Sequence, residues 1–445
     1  MLKICAYVPD AVSGRMRERQ AKAGYDGLDI TGLRVICDSL ERAGYRVERA
    51  GPMDVYRYRV VLVSITAADR DWVPFIRERF KWPKGNYFVI AGGAGVMNVR
   101  PFLPFADCFV LGRGENLIVD IVKNIERNDM YVDESVIWSA DFNMDTTYRF
   151  RQERPYPYPV AIHKGIFREK NIGCPRKCAY CSYSHHREST NAERYVLDVH
   201  KLRQSYSWEH TMLDMLDDPC ADLGHLSTTA LDGLSERLRL MVNKPITREK
   251  FKRFLCLLAS YGKGKMLKLF NIVGYPTETE DDWHEFIEDL TEADHSCEPG
   301  PTWHIQLHST PFRALPATPA ACWPMSGRDY RGQIAKTLKK ISGCDRDGLI
   351  FFQGKRFTVS ESFNTEGLST TALAAVCIRG TEADTFNLTK LAADDRYEKL
   401  RGIEKLNYLD NAFNMGTLFG AFTPETLPTR NIKTYMEIEG IPYEV

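Results

Sequence analysis

The stretch NIGCPRKCAYCSYSHH, residues 171–186, sets three thiols, Cys174, Cys178 and Cys181, into a C-x3-C-x2-C spacing. Arg176, Lys177, His185, His186 and Arg187 flank them. The apolar run VAIHKGIF (160–167) just upstream reads as a strand, which puts the thiols on a loop at a strand's carboxyl end. Thiols this close bind a metal or carry redox chemistry. Structural zinc takes four ligands, and His185 or His186, four or five residues past Cys181, would complete the set. A thioredoxin-like pair at Cys178 and Cys181 would open a helix and would not have a third cysteine beside it. A cluster of four irons takes a cysteine on each, so three cysteines leave one iron open to a ligand that is not protein.

The other nine cysteines set this loop apart. Cys5, Cys37, Cys108, Cys220, Cys256, Cys297, Cys322, Cys344 and Cys377 stand singly, most of them in apolar runs such as LKICAYV and FLCLLA. There a free thiol behaves as a small buried hydrophobe, and no disulfide framework is expected. Of the 445 residues, 44% are hydrophobic and 27% charged, the balance of a globular chain with room for two or three domains. Lys plus Arg and Asp plus Glu number 59 each, so no excess positive charge favours non-specific nucleic-acid binding. No stretch approaches the roughly 20 apolar residues of a membrane span. The opening MLKICAYVPDAV lacks the basic, apolar and small-residue segments of a signal peptide, and the expected location is cytoplasmic.

Residues 2–127 alternate strand and helix patterns: LKICAYV, then the helix-like DITGLRVICDSLERAG with Gly44 as a stop, YRVVLVSIT, DWVPFIRERF, YFVIAGGAG, DCFVLGRGE and NLIVDIVKNIER. Strands separated by helices predict a parallel, doubly wound sheet. AGGAG (91–95) and GRGE (112–115) fall at carboxyl ends of strands, where such folds bind ligands, although tight strand-to-helix turns would equally want glycine. Residues 128–160, polar and then RQERPYPYPV, read as an extended connector. Beyond them TMLDMLDD, STTALDG, MLKLFNIVG and TWHIQLHS read as strands, and SERLRLMV and REKFKRFLCLLASYG as helices, a second parallel α/β unit. From about residue 328 the pattern weakens into mixed elements.

CPRKCAYC (174–181) resembles the signature of the radical S-adenosylmethionine (SAM) superfamily, C-x3-C-x-aromatic-C. Three further segments resemble that family in the same order: LDGLSERLRLMVNKPIT (231–247), LKLFNIVGYPTETEDDW (267–283) and HSTPFRALPATP (308–319). The resemblance implies a partial (β/α)6 TIM-like barrel in which Cys174, Cys178 and Cys181 hold a [4Fe-4S] cluster and the amino and carboxylate groups of SAM chelate the open iron. It places Tyr180 near the adenine, gives Ser235 and Arg237 to the SAM ribose or carboxylate, and has Gly274 and Pro276 shape the turn near the adenine. Asp232 stands where the family usually has Glu, which leaves that contact either shortened or absent. The usual glycine-rich motif is replaced by LDMLDDPC, whose Asp214, Asp217 and Asp218 either reach the SAM amino group or substrate, or cap the loop. The implied chemistry is one-electron cleavage of SAM to a 5′-deoxyadenosyl radical that abstracts hydrogen, fed by an electron donor such as flavodoxin or ferredoxin. Arg168, Lys170, Arg176 and Lys177 would tune the cluster, dock an anionic reductant, or serve as solvated surface.

The order GGAG…N…P…AD.FV.GRGE resembles the cobalamin-binding-type domain that precedes the radical SAM core in one subgroup. There a D-x-H-x-x-G loop after the first strand supplies a cobalt-ligating His. Here that loop is VPDAVSGRMRERQ, and the first His in the chain is His163. Cobalamin would have to bind without a protein ligand, and a scaffold role is the favoured expectation. The expected organisation is a Rossmann-like cobalamin-binding-type domain over 1–130, a linker over 131–160, the radical SAM core over 161–327, and a C-terminal region over 328–445 that closes the barrel. Hydrogen abstraction from an unidentified substrate, for rearrangement, cyclisation or another modification, leads a cobalamin-dependent methyltransferase and a non-catalytic zinc- or cluster-bearing binding protein. A tRNA methylthiotransferase would want a second cluster in the first domain, where only the widely spaced Cys5, Cys37 and Cys108 stand. A small molecule, a nucleoside or nucleic-acid base, and a peptide all remain open as substrate.

Overall fold

A computed structural model describes residues 2–7, 31–66, 72–142, 156–167, 178–181, 228–260, 266–323, 333–363, 372–377 and 381–413, apart from isolated positions within those spans. The chain is α/β and divides into two compact units. In the first, β1 (Ile4–Tyr7), β2 (Val47–Ala50), β3 (Val60–Ser64), β4 (Phe88–Gly92), β5 (Cys108–Val110) and β6 (Val136–Trp138) form one sheet in the order β2-β1-β3-β4-β5-β6. The first five run parallel, and β6 closes one edge antiparallel to β5. Alternate strand residues serve opposite faces. Ile4, Ala6, Val60, Leu62, Ile90 and Val110 meet Leu33, Cys37 and Leu40 of α1 (Thr31–Arg42) and Leu117, Ile121 and Ile125 of α3 (Leu117–Glu126). An aromatic layer involving α2 (Val73–Arg79) includes edge-on pairs of Phe75 with Tyr7 and with Trp82.

Two expectations change in this unit. The presumed connector contributes β6, whose Val136, Ile137 and Trp138 are all buried, so the first sheet extends into the stretch taken as a linker from 131. VAIHKGIF is not one strand but two, β7 (Val160–Ile162) antiparallel to β8 (Gly165–Phe167), paired with each other and with no other strand among the described residues. The C-terminal helices α8 (Glu382–Ala393) and α9 (Gly402–Ala412) also cluster here rather than with the second sheet. Thr385 Oγ1 donates to the Pro101 carbonyl at 3.1 Å, and Arg77 of α2 donates to that of Ala392.

The second unit's sheet runs β12-β13-β11-β10-β9, with β9 (Thr228–Ala230), β10 (Met266–Val273), β11 (Trp303–Pro311) and β13 (Phe357–Phe363) parallel and β12 (Ile350–Gln353) antiparallel at the edge. β13 carries this parallel sheet past residue 327, where the core was expected to end. α5 (Arg248–Ser260), α6 (Glu280–Ser296) and α7 (Gln333–Ser342) cover one face, packing Phe254, Phe286 and Leu338 onto Leu269, Ile305, Leu307 and Val359. The alternate residues lie on the opposite face in cross-strand rows: Lys268 beside Gln306 beside Ser360, and Phe270 beside His308 beside Ser362. The expected strand TMLDMLDD lies outside the described residues. Among the described residues no helix is long and apolar enough to cross a membrane.

Candidate functional site

Cys178-Ala-Tyr-Cys181 forms a tight turn, with the Cys181 N–H donating to the Cys178 carbonyl at 3.0 Å. Its backbone is pinned from two sides. The Ala179 N–H donates to the Val242 carbonyl at 2.9 Å, and the Ala179 carbonyl accepts from the Ala320 N–H at 3.0 Å. Cys178 is buried, Cys181 is partly exposed, and neither is in a disulfide. Cys174 lies outside the described residues, as do Asp214, Asp217, Asp218, Arg168, Lys170, Arg176 and Lys177.

The Tyr180 side chain locks the turn to the carboxyl end of β9. Its hydroxyl donates to Asp232 Oδ2 at 2.6 Å. The same carboxylate pairs with Lys244, which also donates to the Ala230 carbonyl at 2.9 Å, and the Asp232 carbonyl accepts from the Tyr275 hydroxyl at 2.9 Å. Asp232 is 8% exposed and Lys244 4%, so this charge pair has little water around it. Burial, reinforced by the charge of Asp232, pushes the Tyr180 and Tyr275 hydroxyls well above the usual tyrosine range, which keeps both as donors. Asp232 and Asn243 adopt left-handed φ angles of 57° and 59°, two of the three such non-glycine residues described. Left-handed backbone costs an L-residue energy and persists where surrounding contacts hold it. The resemblance left the Asp232 ligand contact shortened or absent; in the structure its carboxylate joins the cysteine turn to β9.

Ser235 and Arg237 sit where β9 passes into α4 (Glu236–Met241). Ser235 caps that helix, accepting from the Leu238 N–H at 3.3 Å, and donates to the buried Asp282. Arg237 pairs with Asp282 Oδ2 at 2.6 Å and donates to Thr277 Oγ1 at 3.0 Å and the Thr277 carbonyl at 2.8 Å. With its Nε also on Asp282, one Nη1 hydrogen remains for any ligand. Both residues therefore tie α4 to the turn GYPTET, 274–279, that follows β10. Gly274 has φ of 82°, a left-handed angle that favours glycine, and Pro276 lies in the same turn. The Glu278 carboxylate accepts from the Gly274 N–H, from the Tyr275 N–H at 3.1 Å and from Trp283 Nε1 at 2.6 Å. Burial outweighs these bonds and pushes its carboxyl up to about 7.

The structure thus brings Cys178, Tyr180, Cys181 and Asp232 together at one end of the sheet. It gathers Ser235, Arg237, Gly274 and Pro276 around the adjoining turn. Lys244 and Tyr275 complete the anchor; sequence reading quoted both within matched segments without assigning either a role. The charges of Asp282 and Asp232 each reach partners dozens of residues away, a relation that strand and helix periodicity does not encode.

The first unit holds a separate pocket of about 280 Å3 at the carboxyl ends of β3, β4 and β5. Leu33, Ile36 and Leu62 give it an apolar wall, and Ser64, Thr66, Gly92, Gly112, Arg113 and Glu115 its polar rim. The AGGAG glycines divide in role. Both Gly92 and Gly93 line the pocket, but a Cβ on Gly93 would stand 2.6 Å from the Ile65 carbonyl oxygen, so close backbone packing fixes that position, whereas one on Gly92 would meet nothing closer than 3.7 Å.

No family model matches the sequence. An uncharacterised protein of Methanocaldococcus jannaschii is 26% identical over 255 residues, covering 45% of this chain and 55% of that protein. The chain thus spans about half the length of the curated relative it matches. Two solved structures of the cobalamin-dependent S-adenosylmethionine radical enzyme OxsB align at 10% identity with a TM-score of 0.32, one with aqua-cobalamin bound and one apo and selenomethionine-labelled. They cover 99% and 97% of this chain and 62% and 56% of those chains. Likeness at this level assigns neither ligand nor reaction to the chain.

Proposed function

We propose that the chain is a radical SAM enzyme that abstracts hydrogen from a substrate not yet identified. The observation that carries this reading is the Cys178–Cys181 turn, held by backbone bonds and by Tyr180 at the carboxyl edge of a parallel sheet. Thiols outside any disulfide on such a turn are soft donors suited to iron–sulfur ligation, so the chemistry of the donor set fits a [4Fe-4S] cluster held by Cys174, Cys178 and Cys181. When bound, that cluster would supply the electron that cleaves SAM to methionine and a 5′-deoxyadenosyl radical.

The chain's own residues would do the positioning. Tyr180, Asp232 and Lys244 fix the direction in which the two thiols point. Arg237, Ser235 and Asp282 hold the GYPTET turn, where Gly274 and Pro276 would approach the adenine. The wall formed by Tyr275, Phe312 and Trp323 excludes water beside the cysteine turn. A small acidic electron donor and a cytoplasmic location belong to the same proposal.

The pocket of the first unit favours a second reading, a cobalamin-dependent methyltransferase. Its apolar wall and the glycines of its rim suit a flat heteroaromatic group, and with no His before His163 the cobalt would have no ligand from the loop after β1. Anaerobic reconstitution with iron and sulfide, followed by incubation with SAM and dithionite with and without cobalamin, separates the readings. 5′-Deoxyadenosine formed regardless of cobalamin and lost in Cys178→Ala supports hydrogen abstraction. S-adenosylhomocysteine formed only with cobalamin supports the methyltransferase. Zinc in place of iron, with neither product, refutes both and leaves the binding protein.

A further inference from the structure

Among the described residues, the face of the second sheet opposite α5, α6 and α7 mixes polar and apolar side chains, and its charge is one-sided. Strand alternation puts Lys268, Gln306, His308, Ser360 and Ser362 there, and none of the positions on that face of β9, β10, β11 and β13 is Asp or Glu. Lys268 is half-buried and makes no hydrogen bond or ion pair among the described residues, unlike Lys244 beside Asp232. A half-buried ammonium group without a counter-ion lacks part of both its hydration and its compensation, and an anion restores both.

The hydrogen bonds of the neighbouring row leave donors facing the same way. Gln306 Oε1 lies 2.9 Å from His308 Nε2, and Ser362 Oγ lies 3.5 Å from His308 Nδ1. An amide oxygen only accepts, so His308 Nε2–H donates to it and Nδ1 accepts from Ser362. Burial, and then the charge of Lys268, lower the His308 pKa, in keeping with a neutral ring carrying this one proton. Among the described residues, the Gln306 NH2 donors stay uncommitted beside the Lys268 ammonium group. In the next row along the same face, the Phe270 and His308 rings lie 5.4 Å apart and tilted at 46°, an aromatic pair next to the cation.

We propose that this face binds the substrate as a small organic anion, its phosphate or carboxylate on Lys268 and Gln306 and a flat ring against Phe270 and His308. The word substrate rests on the radical SAM reading; the binding does not, and it is measured on cluster-free protein. Isothermal titration calorimetry with phenyl phosphate, benzoate, inorganic phosphate and the neutral control phenol is the test, and the tighter of the two ring anions identifies the head group. The expected result is saturable binding of a ring anion, at least tenfold weaker in Lys268→Gln and retained in Lys268→Arg. Phe270→Leu should weaken the ring anion and spare inorganic phosphate. Equal binding by Lys268→Gln, or no anion bound by the wild type, overturns the proposal. So does a parallel tenfold loss of SAM affinity in reconstituted Lys268→Gln, because the face would then hold the cofactor's own carboxylate. Failure of the radical SAM reading looks different: no iron–sulfur spectrum and no SAM cleavage, with anion binding intact.

Discussion

Lys244→Met tests the charge pair that anchors the cysteine turn. The lysine side chain is 5% exposed and its Asp232 partner 12%, so removing the ammonium group leaves a carboxylate with one neutral donor, Tyr180, and little water. Breaking a buried pair from one side costs about 3–5 kcal/mol; the retained Tyr180 bond and residual exposure put the expected value near the lower end, about 3 kcal/mol. The Ala230 carbonyl also loses its Lys244 donor. In urea, with a slope of about 2–3 kcal/mol per molar, the midpoint of the second unit's transition should fall by about 1 M. The double variant Asp232→Asn/Lys244→Met removes both charges and should recover about 2 kcal/mol of the loss, a coupling within the range found for contacting residues. Urea titration of the cluster-free protein, followed by Trp fluorescence, gives all four corners of the cycle, and iron content after reconstitution gives a second readout. A cost below about 1 kcal/mol for Lys244→Met, typical of an exposed pair, with unchanged iron loading, would refute the claim that this pair holds the turn.

Two further outcomes follow from the same structure. Gly93→Ala should destabilise the first unit by at least about 2 kcal/mol in urea titration, because φ of 108° is foreign to alanine and its Cβ would sit 2.6 Å from the Ile65 oxygen; Gly32→Ala, inside α1 with nothing within 4 Å, should be neutral or stabilising by about 0.5–1 kcal/mol. Glu361, 3% exposed and bonded to the Ala335 N–H at 2.9 Å, has its carboxyl pushed by burial from 4.5 up to about 7. The folded state therefore holds this proton more tightly than the unfolded chain, so the group's contribution is fully present below about pH 4.5 and is lost as pH rises through about 7. Relative to Glu361→Gln, the wild type should lose about 2.5 kcal/mol between pH 5 and 8, read by urea titration at each pH. Glu278 titrates in the same range but is common to both proteins and cancels in the difference. A difference independent of pH would refute the buried-carboxyl argument.

The parts of the fold legible in the sequence are those whose apolar runs are long or two-sided. β3, β4 and β10 are buried on at least one face over five to eight residues, and α1 and α5 keep apolar residues at helical spacing, so periodicity alone finds them. β2 (VERA) escaped because Glu48 and Arg49 interrupt a four-residue edge strand. β6 escaped because three residues are too few to show a period. β13 (FTVSESF) alternates apolar and hydroxyl side chains, which also describes a loop; pairing with β11 on one side and β12 on the other makes it a strand. The C-terminal helices were visible as helical tendency, but their place in the first unit depends on tertiary contacts such as Thr385 with Pro101.

The site divides along the same line. Its cysteine spacing is local and could be read directly, as could the glycine of the GYPTET turn. The work assigned to Ser235 and Arg237 could not, because it depends on Asp282, forty-five residues beyond Arg237, whose carboxylate is buried and needs donors. Once Asp282 is in place, its buried carboxylate at the start of α6 requires a cation, Arg237 supplies it, and α4 is drawn to the turn that follows β10. Asp232 repeats the pattern with Lys244 and Tyr180. Both carboxylates tie loops that follow different strands to one another, so the carboxyl edge of the sheet is stiffened where the thiols sit. The face opposite α5, α6 and α7 has a different character, with Lys268 lacking any carboxylate partner among the described residues. Charges balanced within the protein hold the frame, and at Lys268 a ligand's own charge has something to do.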